Sequence, residues 1–464
     1  MSFYDNIVNF QGSIAAITDT GEYVTYSDIG SFADKVYSKI NHRCLVFSFC
    51  ENSLGSLCGY ISFLKNRIVS FLLDKDLDTQ LLYRLINTYQ PEYLWMPDNK
   101  EPDFEAIPVL SQYGYTLYKT NFSNTYELYS GLALLLTTSG STGSPKLVRI
   151  SYTNLDSNTA SIIKYLSLSE AERPITTLPM SYTYGLSIIN SHLAVGATIL
   201  LTSKTLMQKE FWEFFKGQGA TSIGGVPYTY EILKKLRIFR MDLPSLNTIT
   251  QAGGKLSTEL SREYAQFCQD TGRKFFVMYG QTEATARMSY LPPERAVSKC
   301  GSIGIAIPGG CFYLVDENDN TIYCSEITGE LIYKGPNVTL GYAECGDDLK
   351  KGDERCGILY TGDMAKRDSE GFYYITGRKK RFIKMFGNRV NLDEVEQLVK
   401  SIVQDCACAG QDDYMKIYII EEEKREEVIN FISEKTGLNK LGFEVILVER
   451  IPKNESGKTL YVDL

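Results

Sequence analysis

Residues Thr137–Lys146 (TTSGSTGSPK) concentrate small polar side chains that can surround a phosphate group. The segment holds two glycines and six hydroxyl side chains, and Lys146 ends it. Glycines leave backbone N–H groups accessible, so such a loop can fold over the oxygens of a polyphosphate. The Walker spacing is absent, and the apolar segment Leu147–Ser151 predicts a following strand instead of a helix. Taken alone, the segment is either a phosphate loop or an ordinary hairpin.

Glu283 and Thr282 follow a segment, Lys274–Met278, that is typical of a buried strand. Ligands gather at the carboxyl ends of strands in α/β sheets. A carboxylate there can hold Mg²⁺ on ATP phosphates, and the Thr282 hydroxyl can reach the α-phosphate. The alternative for Glu283 is a structural role as the cap of the next helix.

Two more charged residues lie in turns near the C-terminal end of the sequence. Asp363 ends the tight turn Tyr360–Asp363 (YTGD), where a carboxylate can accept hydrogen bonds from both hydroxyls of a ribose. The alternative for Asp363 is an ordinary turn cap. Lys458 lies in a glycine-containing turn, and the residue pattern alone indicates only a solvated tail there.

The order of these segments resembles the adenylate-forming superfamily, which includes acyl-CoA synthetases, firefly luciferase and the adenylation domains of peptide synthetases. The resemblance extends from about Val24 to Leu464. Besides the loop, the matching segments are YGQTE at 279–283, GELIYKG at 329–335, YTGD at 360–363, GR at 377–378 and PKNESGK at 452–458. All of these segments occur in the order that the superfamily has, which makes coincidence negligible.

The resemblance implies an ATP- and Mg²⁺-dependent ligase. A carboxylate oxygen attacks the α-phosphorus, pyrophosphate leaves, and the acyl-adenylate passes its acyl group to the pantetheine thiol of CoA or of a carrier protein. It implies that Lys458 stabilises the charge of the pentavalent transition state. It also implies a swing of the C-terminal domain about Lys380, which replaces Lys458 by a face carrying Lys384 and Gly387. Gly387 would let the pantetheine arm approach the backbone closely.

The resemblance assigns further roles to individual residues. Glu283 binds the metal, Thr282 and Lys458 act at the α-phosphate, Lys146 contacts the β- and γ-phosphates, and Tyr279 stacks on adenine. The residues implied to contact the nucleotide are Thr138, Ser139, Gly140, Ser141, Thr142, Gly143, Lys146, Gly253, Gly254, Tyr279, Gly280, Asp363, Ile375 and Arg378. Those implied to line the acid pocket are Tyr182, Gly225, Val226, Ala252, Lys255 and Met288.

The acid pocket carries one informative departure from its relatives. Amino-acid-activating members usually place Phe-Asp where this chain has Tyr182 and Thr183, and their Asp holds the α-ammonium. An unpaired buried ammonium is costly, so an ordinary α-amino acid is disfavoured and a fatty, aryl or modest hydroxy acid is expected. The His that many acyl-CoA synthetases place near Tyr182 is absent. The identity of the aromatic residue that gates the acid pocket therefore stays open. No position that grips a CoA nucleotide is identifiable, so CoA and a carrier protein both stay open as acceptors.

Apolar strand-like segments alternate with helical patterns over the first 300 residues, which predicts an α/β fold with doubly wound, mostly parallel sheets. The predicted strands are 44–49, 68–73, 132–136, 197–202 and 274–278, and the predicted helices are 53–66, 76–88, 156–165 and 257–271. Short aromatic segments after residue 300 (312–315, 321–324, 330–333 and 371–375) predict a small β-barrel-like subdomain. We therefore expect a large N-terminal domain over residues 1–379.

The remaining residues, 380–464, predict a small mobile α+β domain. Asn391 is typical of a helix cap, and acids follow it in the first turn. The segments 391–402 and 423–436 predict helices, and 416–420 and 443–448 predict strands. The basic run 378–381 marks the boundary.

Composition excludes several other classes of protein. The 464 residues are 44% hydrophobic and carry a net charge of −8, which argues against a nucleic acid partner. No secretory signal and no segment long enough to span a membrane is recognisable, so we expect a cytoplasmic protein. Eleven scattered cysteines and only His42 and His192 support reduced thiols and give little support for a zinc site.

Several rival functions remain. A phosphotransferase that releases ADP would leave Lys458 unexplained, and a silent relative would have lost Lys458 or Glu283. Adenylation of an amino acid for a carrier protein is a further alternative. An enzyme with an oxygen or nitrogen acceptor, or an oxidative enzyme of the luciferase type, would share every motif quoted above.

Overall fold

The computed structural model describes residues 2–122, 126–137, 146–385, 388–453 and 459–464. The side chains of Lys380, Phe382, Lys384, Asn388, Arg389 and Val462 are outside this description. Contacts divide the chain into two compact units. The first contains residues 1–300, 306–311 and 334–359, and the second contains 301–305, 312–333 and 360–464.

The helices of the described residues carry apolar residues on one face and begin at capping side chains in several cases. Thr25 and Asp28 form a reciprocal capping box at the start of the second helix, and Ser151 and Asn154 do the same at the fifth. The helices are α1 (Phe3–Asn6), α2 (Tyr26–Lys39), α3 (Leu54–Lys65), α4 (Thr79–Tyr89), α5 (Tyr152–Leu166), α6 (Thr183–Leu193), α7 (Lys209–Gly217), α8 (Pro227–Lys235), α9 (Thr258–Asp270), α10 (Leu392–Val399) and α11 (Arg425–Thr436).

Several strands are continuous apolar runs, as expected for strands covered on both faces. In chain order, the strands are β1 (Ile14–Thr18), β2 (Tyr23–Thr25), β3 (Leu45–Cys50), β4 (Val69–Asp74), β5 (Tyr93–Pro97), β6 (Ala106–Gln112), β7 (Tyr115–Thr120), β8 (Leu132–Thr137), β9 (Leu147–Ser151), β10 (Pro174–Ile175), β11 (Ile199–Leu201), β12 (Ser222–Gly225), β13 (Thr248–Gln251), β14 (Lys274–Tyr279), β15 (Ser289–Tyr290), β16 (Ile305–Ala306), β17 (Cys311–Val315), β18 (Thr321–Ile322), β19 (Gly329–Lys334), β20 (Gly341–Ala343), β21 (Ile358–Arg367), β22 (Tyr373–Arg378), β23 (Phe382–Met385), β24 (Asn388–Asn391), β25 (Cys406–Gln411), β26 (Tyr414–Ile419) and β27 (Phe443–Leu447).

Two large sheets form the first unit. One has the order β16-β15-β14-β13-β12-β10-β11-β1-β2, and its strands from β14 to β1 run parallel to their neighbours. The other has the order β20-β9-β8-β4-β3-β5-β7-β6, with a parallel centre formed by β8, β4, β3 and β5. Its two edges are antiparallel: β20 pairs with β9 and β9 with β8 at one edge, and β5 pairs with β7 and β7 with β6 at the other. The predicted α/β class is confirmed, and the mostly parallel arrangement describes the first sheet better than the second.

The second unit contains smaller sheets. A five-stranded sheet has the order β18-β17-β19-β21-β22, and it contains residues of all four short aromatic segments that predict the small β-barrel-like subdomain. Strands β23 and β24 form a hairpin, and β25, β26 and β27 form a three-stranded sheet packed with α10 and α11 around a shared apolar core. The predicted C-terminal helices and strands are present in this part. The domain boundary between residues 379 and 380 stays a prediction.

No helix of the described ranges combines the length and the apolar composition that crossing a membrane requires.

His192 on α6 gives the fold a testable pH dependence. Its ring is 3% exposed, and its Nδ1 lies 2.8 Å from the Ile188 carbonyl oxygen. Burial lowers the pKa of His192 from 6.5 to about 4. Between these two values the unfolded chain binds a proton that the folded chain excludes, so the free energy of unfolding falls as the pH falls. We expect His192 to contribute a loss of about 2 kcal/mol between pH 7 and pH 5.

This contribution is measurable by urea denaturation at the two pH values. His192→Gln removes the titrating group, so its unfolding free energy should change less between pH 7 and pH 5 than that of the native chain. His42→Gln is the matched control, because His42 is the only other histidine of the sequence and is half exposed. An unchanged slope in the His192 variant would contradict the assignment.

Candidate active site

The predicted phosphate loop is flanked by a strand pair. β8 and β9 are antiparallel, with Leu136 opposite Val148 and Thr137 opposite Leu147. The predicted phosphate contacts Thr138, Ser139, Gly140, Ser141, Thr142 and Gly143 lie outside the described residues. Lys146 lies directly before β9, and its Nζ is 3.6 Å from Glu344 Oε1 and 4.1 Å from the ring centroid of Tyr342.

Glu283 and Thr282 form a short 3₁₀ turn after β14. The Thr282 side chain is buried, and its Oγ1 lies 3.3 Å from Oγ1 of Thr183. The carboxylate of Glu283 is half-buried, and its Oε1 accepts a 2.8 Å hydrogen bond from the Tyr342 hydroxyl. Burial, and then the nearby Glu283 carboxylate, raise the pKa of Tyr342 to about 12, so this hydroxyl remains a donor.

The backbone of Glu283 is fixed as firmly as its side chain. The carbonyl oxygen of Glu283 accepts from the Thr339 backbone N–H at 3.0 Å, from Thr339 Oγ1 at 3.0 Å and from Arg355 Nη1 at 3.1 Å. Within the described ranges, Oε2 of Glu283 has no hydrogen-bond partner. A carboxylate with one oxygen anchored and the other open fits a single-oxygen ligand of Mg²⁺ on ATP.

Gly280 allows the backbone after β14 to turn back on itself. A Cβ atom at this position would lie 1.5 Å from the carbonyl oxygen of Ala286, and Thr285 and Ala286 take positive φ values of 52° and 85°. The segment 280–287 can therefore close only around a glycine, and this closure fixes where Glu283 lies.

Gly280→Ala should displace this segment. The methyl group meets backbone atoms, which cannot move aside as a flexible side chain can. We expect a loss of about 2 kcal/mol or more in stability and a fall of at least roughly 10-fold in acid-dependent ATP–pyrophosphate exchange. Thermal unfolding and exchange rates measure the two effects. Gly12→Ala is the control, because a Cβ there meets nothing within 4 Å; equal behaviour of the two variants would refute the steric argument.

Tyr279 and Met288 lie at the end of β14 and beside it. Tyr279 is half-buried, and its hydroxyl accepts from Gln281 Nε2 at 3.3 Å. Met288 is fully buried, and its backbone N–H donates to the Tyr279 carbonyl oxygen at 2.9 Å. The structure thus places the residue predicted to stack on adenine next to a residue predicted to line the acid pocket.

The other predicted acid-pocket residues lie mostly at the ends of β12 and β13. Gly253 lies under the Tyr182 phenol, because a Cβ at Gly253 would be 2.5 Å from the Tyr182 hydroxyl and 3.0 Å from Val226 Cγ1. The Ala252 N–H donates to the Gly225 carbonyl oxygen at 3.2 Å. These residues therefore come together. Gly254 and Lys255, which follow in the chain, are exposed.

Arg287 is a buried residue near this region that the sequence reasoning did not single out. It is 2% exposed, its Nε donates to Ser187 Oγ at 3.0 Å, and its Nη1 donates to the Tyr165 hydroxyl at 3.0 Å. Its guanidinium also lies 5.1 Å from the ring centroid of Tyr184. Nothing in the sequence distinguishes it from a surface arginine.

Three predicted nucleotide contacts come together in the second unit. Asp363 and Arg378 face each other on β21 and β22, and Asp363 Oδ1 is 2.8 Å from Arg378 Nε. Asp363 is 3% exposed, whereas the Arg378 side chain is 56% exposed. Ile375 lies on the same strand pair, opposite Ala365. A buried carboxylate beside a partly exposed guanidinium suits recognition of a ribose diol.

The remaining predicted residues belong to the second unit and lie largely outside the description. Lys458 and Gly387 are not among the described residues, and the Lys380 and Lys384 side chains are not described. Their roles stay predictions.

One group of metal-type ligands occurs in the described residues, away from these motifs. His42 Nε2 lies 3.0 Å from both carboxylate oxygens of Glu92, and the thiol of Cys44 is nearby. An ordinary His–Glu hydrogen bond accounts for this geometry. Burial raises the pKa of Cys44, which disfavours the thiolate that metals bind.

Comparisons with known proteins define the family to which the chain belongs. The family model described as AMP-binding enzyme matches residues 71–343. The chain belongs to this family, and the predicted membership of the adenylate-forming superfamily is confirmed. It is an AMP-forming acid–thiol ligase, which activates a carboxylic acid as an acyl-adenylate.

Individual relatives share 27% and 29% sequence identity with this chain. The 2-succinylbenzoate–CoA ligase of Bacillus thuringiensis subsp. konkukian is 27% identical over 405 residues, which cover 82% of each chain. The peroxisomal OPC-8:0-CoA ligase 1 of Arabidopsis thaliana is 29% identical over 352 residues, covering 72% of this chain and 63% of the relative.

A solved structure shares the fold of almost the whole chain. The O-succinylbenzoate coenzyme A synthetase of Bacillus subtilis, in complex with AMP, has a TM-score of 0.81 at 21% identity, and the match covers 100% of this chain and 98% of the other. ATP-bound MatB of Rhodopseudomonas palustris has a TM-score of 0.78 at 20% identity, with 100% and 98% covered.

Proposed function

We propose that this ligase converts a carboxylic acid without an α-ammonium group into its CoA thioester through the acyl-adenylate. The observation that carries the adenylation step is the geometry at Glu283, whose backbone is held by three hydrogen bonds and whose carboxylate keeps one oxygen open. A ligase that must place one Mg²⁺ on ATP phosphates needs such a fixed carboxylate.

The choice of acid is supported by the pocket residues. No carboxylate stands at Tyr182 or Thr183 to hold an ammonium group, and Thr183 faces the hydroxyl of Thr282 instead. Tyr182, Val226 and Gly253 present an aromatic ring and small apolar atoms. An aryl or alicyclic acid fits such a lining, and relatives named as ligases of 2-succinylbenzoate make aryl keto acids the first candidates.

CoA is the proposed acceptor. The relatives reported above are named as CoA ligases, and none is named for a carrier protein. Transfer to a carrier-protein pantetheine would use the same thiol chemistry and is the second candidate. Because ATP and CoA are both available in the cytoplasm, we propose a cytoplasmic site of action.

We propose residue roles in line with the sequence motifs. Glu283 holds Mg²⁺, and Thr282 contacts the α-phosphate. Asp363 and Arg378 bind the ribose, and Tyr279 stacks on adenine. Lys458 stabilises the charge that builds up as the carboxylate attacks. The protein's contribution is mainly to hold acid and ATP in line and to exclude water, because the reacting groups need little further activation.

Acid-dependent ATP–pyrophosphate exchange tests the proposal. A panel of aryl keto, fatty, hydroxy and amino acids is offered with ATP and Mg²⁺, and CoA thioesters are then measured with the acids that support exchange. We expect exchange with an aryl or alicyclic acid, AMP as the nucleotide product and consumption of CoA. Absence of exchange with every acid, together with release of ADP, would refute adenylation. Exchange without CoA consumption would favour a carrier protein.

A further inference from the structure

Charged groups from separate segments of the candidate site meet at one phenol, that of Tyr342. Its hydroxyl donates to Glu283 Oε1 at 2.8 Å. Lys146 Nζ lies 4.1 Å from its ring centroid, and the Arg355 guanidinium carbon lies 4.5 Å from the same centroid. Tyr342 therefore touches the proposed metal ligand and the lysine that ends the phosphate loop at once.

The backbone of Tyr342 is fixed by strand pairing. In β20, Tyr342 lies opposite Val148 of β9, the strand that leaves the phosphate loop. The fully buried Arg149 donates from Nε to the Tyr342 carbonyl oxygen at 2.9 Å and also pairs with Glu354. The phenol consequently projects from a rigid support that is continuous with the loop strand.

Arg355 connects the same support to the backbone of Glu283. Its Nη1 donates to the Glu283 carbonyl oxygen at 3.1 Å and to Thr339 Oγ1 at 2.8 Å. Arg355 thus contacts the backbone of Glu283, whereas Tyr342 contacts its carboxylate. Within the described ranges, the Tyr342 hydroxyl is the one hydrogen-bond donor to that carboxylate.

A neutral donor suits this place better than a cation. A hydroxyl orients a carboxylate and leaves its negative charge available for a metal ion, whereas a lysine or arginine would compete with that ion for the charge. Partners that orient metal ligands through a hydrogen bond typically change metal affinity by about 10- to 100-fold when they are removed. The Tyr342 hydroxyl is such a neutral donor, and it is bonded to the carboxylate proposed to bind the metal ion.

We propose that Tyr342 is a positioning residue that aims the Glu283 carboxylate at the Mg²⁺ of bound ATP and holds Lys146 beside the same phosphates. The proposal rests on the proposed ATP-dependent function. Its two parts use different atoms, because the hydroxyl orients Glu283 and the ring contacts Lys146. A contact between a ring and a cation as exposed as Lys146, whose side chain is 41% exposed, typically changes binding by only about 2- to 5-fold. The hydroxyl should therefore have the larger effect.

The test separates metal binding from catalysis. Binding of Mn²⁺ to the enzyme–ATP complex is measured by electron paramagnetic resonance, and binding of metal-free ATP is measured by calorimetry. We expect Tyr342→Phe to weaken Mn²⁺ binding by roughly 10- to 100-fold and to leave metal-free ATP binding within about 2-fold. Excess Mg²⁺ should restore most of the exchange rate of this variant.

Two further variants complete the design. Tyr342→Leu removes the ring as well, so it should also weaken metal-free ATP binding by about 2- to 5-fold through the loss of its contact with Lys146. Tyr23→Phe, which removes a hydroxyl from a side chain that is 60% exposed, is the control and should change nothing.

Wild-type Mn²⁺ affinity in Tyr342→Phe would overturn the proposal. Equal losses of metal-free ATP binding and Mn²⁺ binding would also overturn it, because they would indicate a purely structural role. The Mn²⁺ measurement needs no acid substrate. A failure of acid-dependent exchange in the wild-type protein would therefore count against the proposed function. The Mn²⁺ measurement on Tyr342→Phe could still be interpreted in that case.

Discussion

Lys458→Ala is expected to lower the rate of acyl-adenylate formation by roughly 10²-fold or more, which is the typical cost of removing one group that stabilises transition-state charge. In the proposed role, Lys458 acts as a compact point charge beside the α-phosphate, so neither Ala nor a neutral polar residue would replace it. The second half-reaction, thioester formation from supplied acyl-adenylate, should retain most of its rate. Single-turnover assays of the two half-reactions measure the difference.

A nearby lysine provides the control for this experiment. Lys453 is in the same C-terminal segment, and its Nζ pairs with Asp405. Lys453→Ala removes a lysine without touching the proposed chemistry, so both half-reactions should continue at nearly native rates. Equal slowing of both half-reactions by Lys458→Ala would contradict the proposal that Lys458 serves adenylation and that the face carrying Lys384 and Gly387 serves transfer to the thiol.

Asp363→Ala is expected to lower kcat/KM for ATP by about 10²-fold, mainly through a higher KM. The side chain is 3% exposed, and its Oδ1 lies 2.8 Å from Arg378 Nε. In the proposed role, the Asp363 carboxylate accepts a hydrogen bond from each ribose hydroxyl. Hydrogen bonds to a charged group contribute about 1.5–3 kcal/mol each, so the loss of both corresponds to about 10²-fold or more in affinity.

The ribose assignment can be checked without a second protein variant. The native enzyme should strongly prefer ATP over 2′,3′-dideoxy-ATP, because the analogue has no hydroxyls for Asp363. The Asp363→Ala variant should use the two nucleotides almost equally. A variant that still discriminates between them by the native factor would show that another group reads the ribose.

Sequence patterns located several elements of the fold, because buried strands and amphipathic helices show a local periodicity of apolar residues. The segments 132–136 and 147–151 were predicted as strands on either side of a polar loop, and the structure has β8 and β9 there. The pairing of β21 with β22 brings Asp363 to Arg378, two residues that the resemblance assigned to the nucleotide.

Long-range pairing placed the residues that the sequence reasoning missed. Tyr342 lies in a short, ordinary segment, and only its pairing with the strand after the phosphate loop brings it to Glu283. Arg287 and Arg149 are fully buried, although arginines are usually exposed. Their partners lie far away in the sequence, so local composition carries no sign of their burial.

The pairing of β20 with β9 also constrains when the site can form during synthesis. Arg149 and the Tyr342 carbonyl that it binds are separated by 193 residues. At about 5–20 residues per second, a ribosome needs roughly 10–40 s to make the intervening chain. Until then, the loop strand lacks its edge neighbour and Arg149 lacks its acceptors. A nascent chain that ends before residue 340 is consequently expected to bind no nucleotide, and an exposed strand edge is a site where such a chain would recruit a chaperone or aggregate.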